Sequence, residues 1–371
     1  MGFNCLLISV FYEKSIKAKP ILRRKSAFSP TTAQIFALFC VMHDFNPSDI
    51  AVKNGNIFGF PYNQEEAEIH IIPVAWEATA SFGRGCSASY EAIRQASLQL
   101  DFYDEKGAFW EVPVFMQEAI GQMLNDQISN KAAELIQYLE EGGKITDRQS
   151  EFDAVNNYSL ELNALVKKTC LDSLETGKKV ILIGGDHSIP LGYLQALNTT
   201  KSFGILHFDA HADLRPGYEG FVYSHASIMH HAKLLSNIES ITSVGLRDIS
   251  PEEAKIIRND AQLIAFSDKW IAAKKHQGTS FFDIIHEILS QLPPKIYISF
   301  DVDCLDPSLC PNTGTPVPGG LTWHEIQAFI DALYQSDIDI IGADICETGN
   351  HPWDAQISAR LIYQFIGLLH K

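Results

Sequence analysis

Three apolar runs in this chain each end in residues that bind hard metal ions, and no other feature restricts its fold as much. Residues 205–215 read I-L-H-F-D-A-H-A-D-L-R, so Asp209, His211 and Asp213 fall at every second position after a β-rich run. In extended backbone, positions i, i+2 and i+4 point to one side, which predicts two carboxylates and an imidazole converging at a strand end. Residues 180–188 read V-I-L-I-G-G-D-H-S and place Asp186 and His187 after a Gly-Gly turn. Residues 296–307 read I-Y-I-S-F-D-V-D-C-L-D-P and place Asp301 and Asp303 on one face. One such motif is often only a solvated strand end; three in order are far more specific.

From Lys179 onward the pattern is regular. Strands are expected at 180–183, 203–208, 241–246, 262–266, 295–300 and 338–343, with helices at 190–198, 226–236, 280–291, 323–336 and 355–369. This alternation implies parallel βαβ units with right-handed crossovers. Upstream, 68–75 reads as a first strand and 87–98 as a helix with Ser87 as its cap. An amphipathic helix is expected across 114–141, and another across 160–176 with Ser159 as its cap. No repeat, low-complexity tract or linker follows residue 65, which points to a single three-layer α/β/α domain.

In such a sheet the carboxyl ends of the strands line one edge, where ligands bind. His187, Asp209, His211, Asp213, Asp301 and Asp303 would then share one cleft. A catalytic zinc ion usually takes three protein ligands and a structural one closes with four, often Cys and His. Six ligands fit two ions sharing carboxylates, about 3.5–4 Å apart. Oxygen and imidazole donors favour a hard-to-borderline ion such as Mn²⁺.

Composition narrows the partners. At 371 residues and 46% hydrophobic the chain has ample core, and a net charge of −16 argues against nucleic acid and anionic membranes. The seven cysteines (5, 40, 86, 170, 304, 310 and 346) form no C-x-x-C pair. They read as buried free thiols in a reducing, cytoplasmic setting, with Cys304 and Cys346 as packing residues. Residues 1–41 carry Lys14, Lys17, Lys19, Arg23, Arg24 and Lys25 against Glu13 alone. The apolar run at 35–42 is too short to span a bilayer, and the order of basic and apolar stretches is not that of a secretory signal. The segment reads as a basic targeting leader or as an extension ahead of a start at Met42.

Residues 68–370 resemble the ureohydrolases, the arginase–agmatinase family. The family signatures G-G-D-H-S, D-A-H-x-D and S-x-D-x-D-x-x-D-P stand here at 184–188, 209–213 and 299–307, followed by G-T-P-x-P-G-G at 314–320. A further family pattern, G-x-x-x-G-P, is only partly matched, with Ala88 in place of its proline.

The resemblance implies an eight-stranded parallel sheet and two metal ions per chain, Mn²⁺ or in some relatives Ni²⁺. His187 and Asp213 would hold one ion, His211 and Asp303 the other, with Asp209 and Asp301 bridging. His225 matches the histidine that passes a proton to the leaving amine, a role suited to its pKa. Glu347, in D-I-C-E, matches the carboxylate that pairs with the guanidinium. Asp186 is expected to orient a metal ligand, Asp306 and Pro307 to shape a turn, and His230 and His231 to be surface residues.

The implied reaction is hydrolysis of a guanidino compound to urea and an amine, with a homotrimer or homohexamer as the assembly. Loop 214–223 is acidic and aromatic apart from Arg215, unlike the arginase loop that binds the α-amino and α-carboxylate groups. That favours agmatine, giving putrescine in polyamine metabolism. Arginine, guanidine and guanidino acids are the rivals, the smaller ones if residues 76–79, Trp323 and 351–353 line a tighter pocket. A one-zinc lysine deacetylase is disfavoured by the six ligands, and a non-catalytic binding relative by the loss of none of them.

Overall fold

The computed structural model describes residues 45–371 apart from Lys201. The leader reading of residues 1–41, with Cys5 and Cys40, lies outside the described residues. Eight strands form one parallel sheet: β1 (Ile69–Pro73), β2 (Val114–Met116), β3 (Lys179–Ile183), β4 (Phe203–Phe208), β5 (Ile238–Val244), β6 (Leu263–Phe266), β7 (Lys295–Asp301) and β8 (Asp339–Cys346). Their order is β2-β1-β3-β8-β7-β4-β5-β6.

Alternate residues of the strands feed two cores. Ile181, Ile183, Leu206, Phe208, Ile298 and Phe300 face one side, against the helices Ser89–Ser97, Phe281–Leu289, Trp323–Gln335 and Pro352–His370. Val180, Leu182, Ile205, Ile241 and Tyr297 face the other, against Gln122–Glu140, Gln149–Glu175, Leu191–Leu197 and Ile228–Lys233. The central strands are buried on both faces, which is why they read as unbroken apolar runs. The three-layer α/β/α expectation therefore holds. Among the described residues no helix is long and apolar enough to cross a membrane.

Strand and helix positions from Lys179 onward agree within a few residues. Three upstream expectations need correction. Residues 114–116 form edge strand β2, paired with β1, and the helix starts only at Gln122 after Gly121 turns the chain at φ 85°. The helix expected from 160 begins at Gln149, so Ser159 lies inside it and its hydroxyl donates to the Val155 carbonyl. Ser87 falls in a short 3₁₀ turn, and its amide donates to Glu77 instead of its side chain capping the helix. Two helices were not anticipated, Pro251–Asn259 and Asp268–His276. The first carries a readable signal: Ser250 and Glu253 form a capping box with proline at the first turn.

Candidate metal centre and active site

The strand order turns back on itself between β3 and β4, and the carboxyl ends of β3, β4, β7 and β8 open there on a cleft of about 460 Å³. His187 reaches it because Gly184 and Gly185 turn the chain at φ 81° and 76°. A Cβ on Gly185 would lie 2.8 Å from the carbonyl oxygens of Val74 and Trp76, so the close turn requires glycine. Asp301 ends β7, and Asp303 sits in the 3₁₀ turn that follows.

Strand alternation does not align Asp209, His211 and Asp213. β4 ends at Phe208, and Asp213 has a left-handed φ of 52°. A loop folds the three toward two different groups. In the first, His187 Nδ1 lies 3.0 Å from Asp209 Oδ2, 3.1 Å from Asp213 and 3.4 Å from Asp301. In the second, His211 Nδ1 lies 3.0 Å from Asp303 and 3.5 Å from Asp209 Oδ1. Asp209 thus offers one oxygen to each group. Asp301 touches the His187 group with Oδ2, while its Oδ1 accepts from the Asp303 amide.

The donor set fits divalent cations. His187, His207, Asp209 and Asp213 bring donor atoms within 4.8 Å of one another, as do Asp209, His211 and Asp303. Burial, then the neighbouring Asp209 carboxylate, raises the Asp213 pKa; burial, then Asp303 and Asp209, pushes Asp301 well up. Burial disfavours a charged His211, yet Asp209 and Asp303 carry its pKa up to about 12. This is a pocket with surplus negative charge, and bound cations would neutralise it. Cys304 and Cys346 are buried and their thiol pKa values rise well up, in keeping with packing residues.

Glu347 is 5% exposed at a left-handed φ of 60°, and its Oε1 accepts the His187 amide at 2.9 Å. His225 opens the short turn after Ser224. Its amide donates to Thr79 Oγ1, and its Nε2 lies 3.4 Å from Ser81 Oγ. Burial lowers its pKa. Both residues line the cleft.

Asp186 contacts no metal-ligand side chain, contrary to expectation. It accepts from the amide and hydroxyl of Thr79 and from the Ser188 amide, and so fixes the segment that holds His225. Asp306 shapes its turn as expected, accepting from the Ser308 amide. His230 and His231 stay outside the cleft, where His231 bonds the Val222 carbonyl. The aromatic segments do not narrow the pocket: Trp76 is fully buried, and Trp353 donates outside the cleft to the Ser308 carbonyl. None of residues 76–79, Trp323 and 351–353 lines the cleft, although Ser81 and Phe82, just beyond the first segment, do. Arg215 does line it, with its guanidinium 4.7 Å over the Tyr218 ring and 3.8 Å from Glu253.

His207, Ser81 and Arg247 escaped the sequence reading, as did the bond from the His225 amide to Thr79. Arg247 donates to the carbonyls of Asp303, Val317 and Gly245 and ties the ligand turn to loop 314–320. His207 had a local signal, since it stands two residues before Asp209 in the same run.

A parallel α/β sheet with paired imidazole–carboxylate groups at its switch point has the donors of a metal-dependent site. The chain belongs to the arginase family, whose model matches residues 67–369. It is accordingly a ureohydrolase, a hydrolase of linear amidine C–N bonds in a family that depends on a pair of metal ions. An N(1)-aminopropylagmatine ureohydrolase of Thermus thermophilus is 32% identical over 312 residues, covering 83% of this chain and 92% of its own. An agmatinase of Halalkalibacterium halodurans is 27% identical over 290 residues, covering 77% and 84%. In fold the chain is similar to the agmatine ureohydrolase of Thermoplasma volcanium, with a TM-score of 0.63, 23% identity, and 84% and 92% of the two chains covered.

Proposed function

We propose that this chain hydrolyses agmatine to urea and putrescine, with two divalent ions, Mn²⁺ in the first instance, held by the six ligands. His187 and Asp213 would hold one ion and His211 and Asp303 the other, with Asp209 and Asp301 shared. Such a pair would supply a nucleophile at neutral pH by lowering the pKa of water. The observation that carries the reading is the split of Asp209 between two imidazole groups beside Glu347 and His225.

The chain's own residues do the rest. Glu347 keeps Oε1 on the His187 amide and turns its other oxygen to the substrate guanidinium. His225 Nε2 takes up a proton in the cleft and hands it to the departing amine. Thr79 Oγ1 accepts the His225 backbone amide, and Ser81 Oγ stands 3.4 Å from the ring Nε2.

The mouth supports a substrate without a carboxylate. Arg215 is engaged by Tyr218 and Glu253, and Asp248, 71% exposed, adds negative charge to the cleft 3.9 Å from His211. Asp248 also favours a second reading, an agmatine extended by an aminopropyl group whose distal ammonium would meet it. A cytoplasmic setting suits the five buried free cysteines at 86, 170, 304, 310 and 346, and we take the assembly to be a homo-oligomer, which sizing in solution checks.

Urea release decides among agmatine, N(1)-aminopropylagmatine, arginine, 4-guanidinobutyrate and guanidine. Agmatine should lead, with the aminopropyl compound as the second reading's outcome. Preference for arginine, a guanidino acid or free guanidine sinks the proposal.

A further inference from the structure

A row of polar side chains lies buried one step beneath the metal ligands. Strand register sets His207 on β4 beside Ser243 on β5 and Ser299 on β7, and Ser299 beside Asp344 on β8. His207, Ser299 and Asp344 are fully buried and Ser243 is nearly so. Nothing in the six-ligand reading uses His207, yet its Nε2 is 2.9 Å from Asp209 Oδ2 and its Nδ1 is 3.0 Å from Ser243 Oγ. His187 mirrors it, with Nδ1 3.0 Å from the same Oδ2 and Nε2 2.9 Å from Ser299 Oγ.

The two rings cannot play the same part. A histidine that ligates a cation presents a lone pair to it. His187 Nδ1 faces Asp209, Asp213 and Asp301, so Nδ1 would be its ligating nitrogen, leaving its proton on Nε2 toward Ser299. In that state His187 donates nothing to Asp209. The remaining side-chain donor to Oδ2 is His207 Nε2, since the other bonds to Asp209 are the His211 amide on Oδ1 and His187 itself. A Ser243 hydroxyl donating to Nδ1 selects the tautomer that carries the Nε2 proton.

We propose that His207 is the positioning residue of the metal centre: its Nε2–H, with Nδ1 against the Ser243 hydroxyl, holds Asp209 so that its two oxygens face two ligand groups. This rests on the reading of Asp209 as a shared ligand. The competing possibility is that His207 ligates directly, because its ring lies in the same group of donor atoms.

Three variants of the full chain separate these. His207→Leu removes the donor, His207→Gln keeps an N–H of similar reach, and Ser243→Ala frees the tautomer. Mn²⁺ affinity and retention against a chelator are measured on each, with the melting temperature of the metal-free protein recorded separately. His207→Leu should weaken Mn²⁺ binding by about 10–100-fold. His207→Gln should recover to within a few-fold of the parent, and Ser243→Ala should fall between. Parental affinity in His207→Leu overturns the proposal. A His207→Gln variant as weak as His207→Leu overturns it in favour of direct ligation. Should His207→Leu not fold, the other two decide: near-parental His207→Gln with weakened Ser243→Ala supports the role, and unchanged Ser243→Ala overturns it. No substrate enters these measurements. A parent protein that binds two Mn²⁺ yet releases no urea from the panel refutes the substrate reading and leaves this inference standing.

Discussion

The two groups that share Asp209 use the same chemistry at different depths. His187 and Asp213 are 1% and 6% exposed at the side chain, and the His187 Nε2 is engaged by Ser299 beneath the cleft. His211 is 26% exposed, opens on the cleft, and has its Nε2 3.9 Å from the exposed Asp248. Depth sets how much water competes for the same donors. Charges attract more strongly where water is excluded, so the inner group should hold its ion more tightly.

The largest effect should come from breaking what both groups share. Asp209→Asn should cut urea release by at least ~10³-fold, since several kcal/mol of transition-state stabilisation pass through the centre. Metal analysis should find both ions weakened. Asp213→Asn, which touches only the inner group, should lose less metal; equal losses from the two variants would remove the shared role of Asp209.

Next come the two cleft residues outside both groups. His225→Asn should lower kcat by about 10²–10⁴-fold with little change in KM and with Mn²⁺ content unchanged. Glu347→Gln should instead raise KM and lower kcat/KM, as ground and transition states lose the same contact. Metal loss on changing His225 would refute its assignment as a proton carrier.

The contrast in depth is itself measurable. Titrating the Mn²⁺-loaded protein with a chelator should remove the two ions in separate steps. His211→Ala should abolish the easier step and keep the harder one. A single step for both ions, or loss of the harder step in His211→Ala, would show that depth does not set the order.

The smallest effect lies on the lip of the cleft. Burial, then the nearby Glu140, raises the half-buried Glu219 carboxyl from 4.5 to about 7. A carboxyl with a raised pKa contributes its stability at low pH and loses it as pH climbs from about 4.5 to about 7. Glu219→Gln should flatten that part of the stability profile and raise Tm at pH 8 by about 1–2 °C, solvent screening having reduced the effect. A melting profile of the same slope in parent and variant would place the cause elsewhere.

Much of this was written locally in the chain. The apolar runs of β3, β4, β7 and β8 stand out because both sheet faces are covered, so a single stretch carries the whole signal. The six proposed ligand residues follow those runs directly, so their common sheet edge was legible from residues 184–188, 209–213 and 299–307. Edge strand β2 was not, because three residues carry little periodicity and acquire strand character from pairing with β1. The cap at Ser159 failed for a related reason: a serine inside a long helix can bond back to the preceding turn, and only packing tells the two apart.

By itself, then, the sequence determined the central strands, the clustering of the six proposed ligands and the class of chemistry, since these depend on short-range pattern and on residue type. Only the tertiary structure decided how the ligands divide. The partition of Asp209 depends on a loop at Asp213 that strand periodicity does not describe. The link from Asp186 through Thr79 to His225 joins residues more than a hundred positions apart. His207 acquires its partners from register across β5, β4 and β7, which the packing of the whole sheet sets and no single strand encodes.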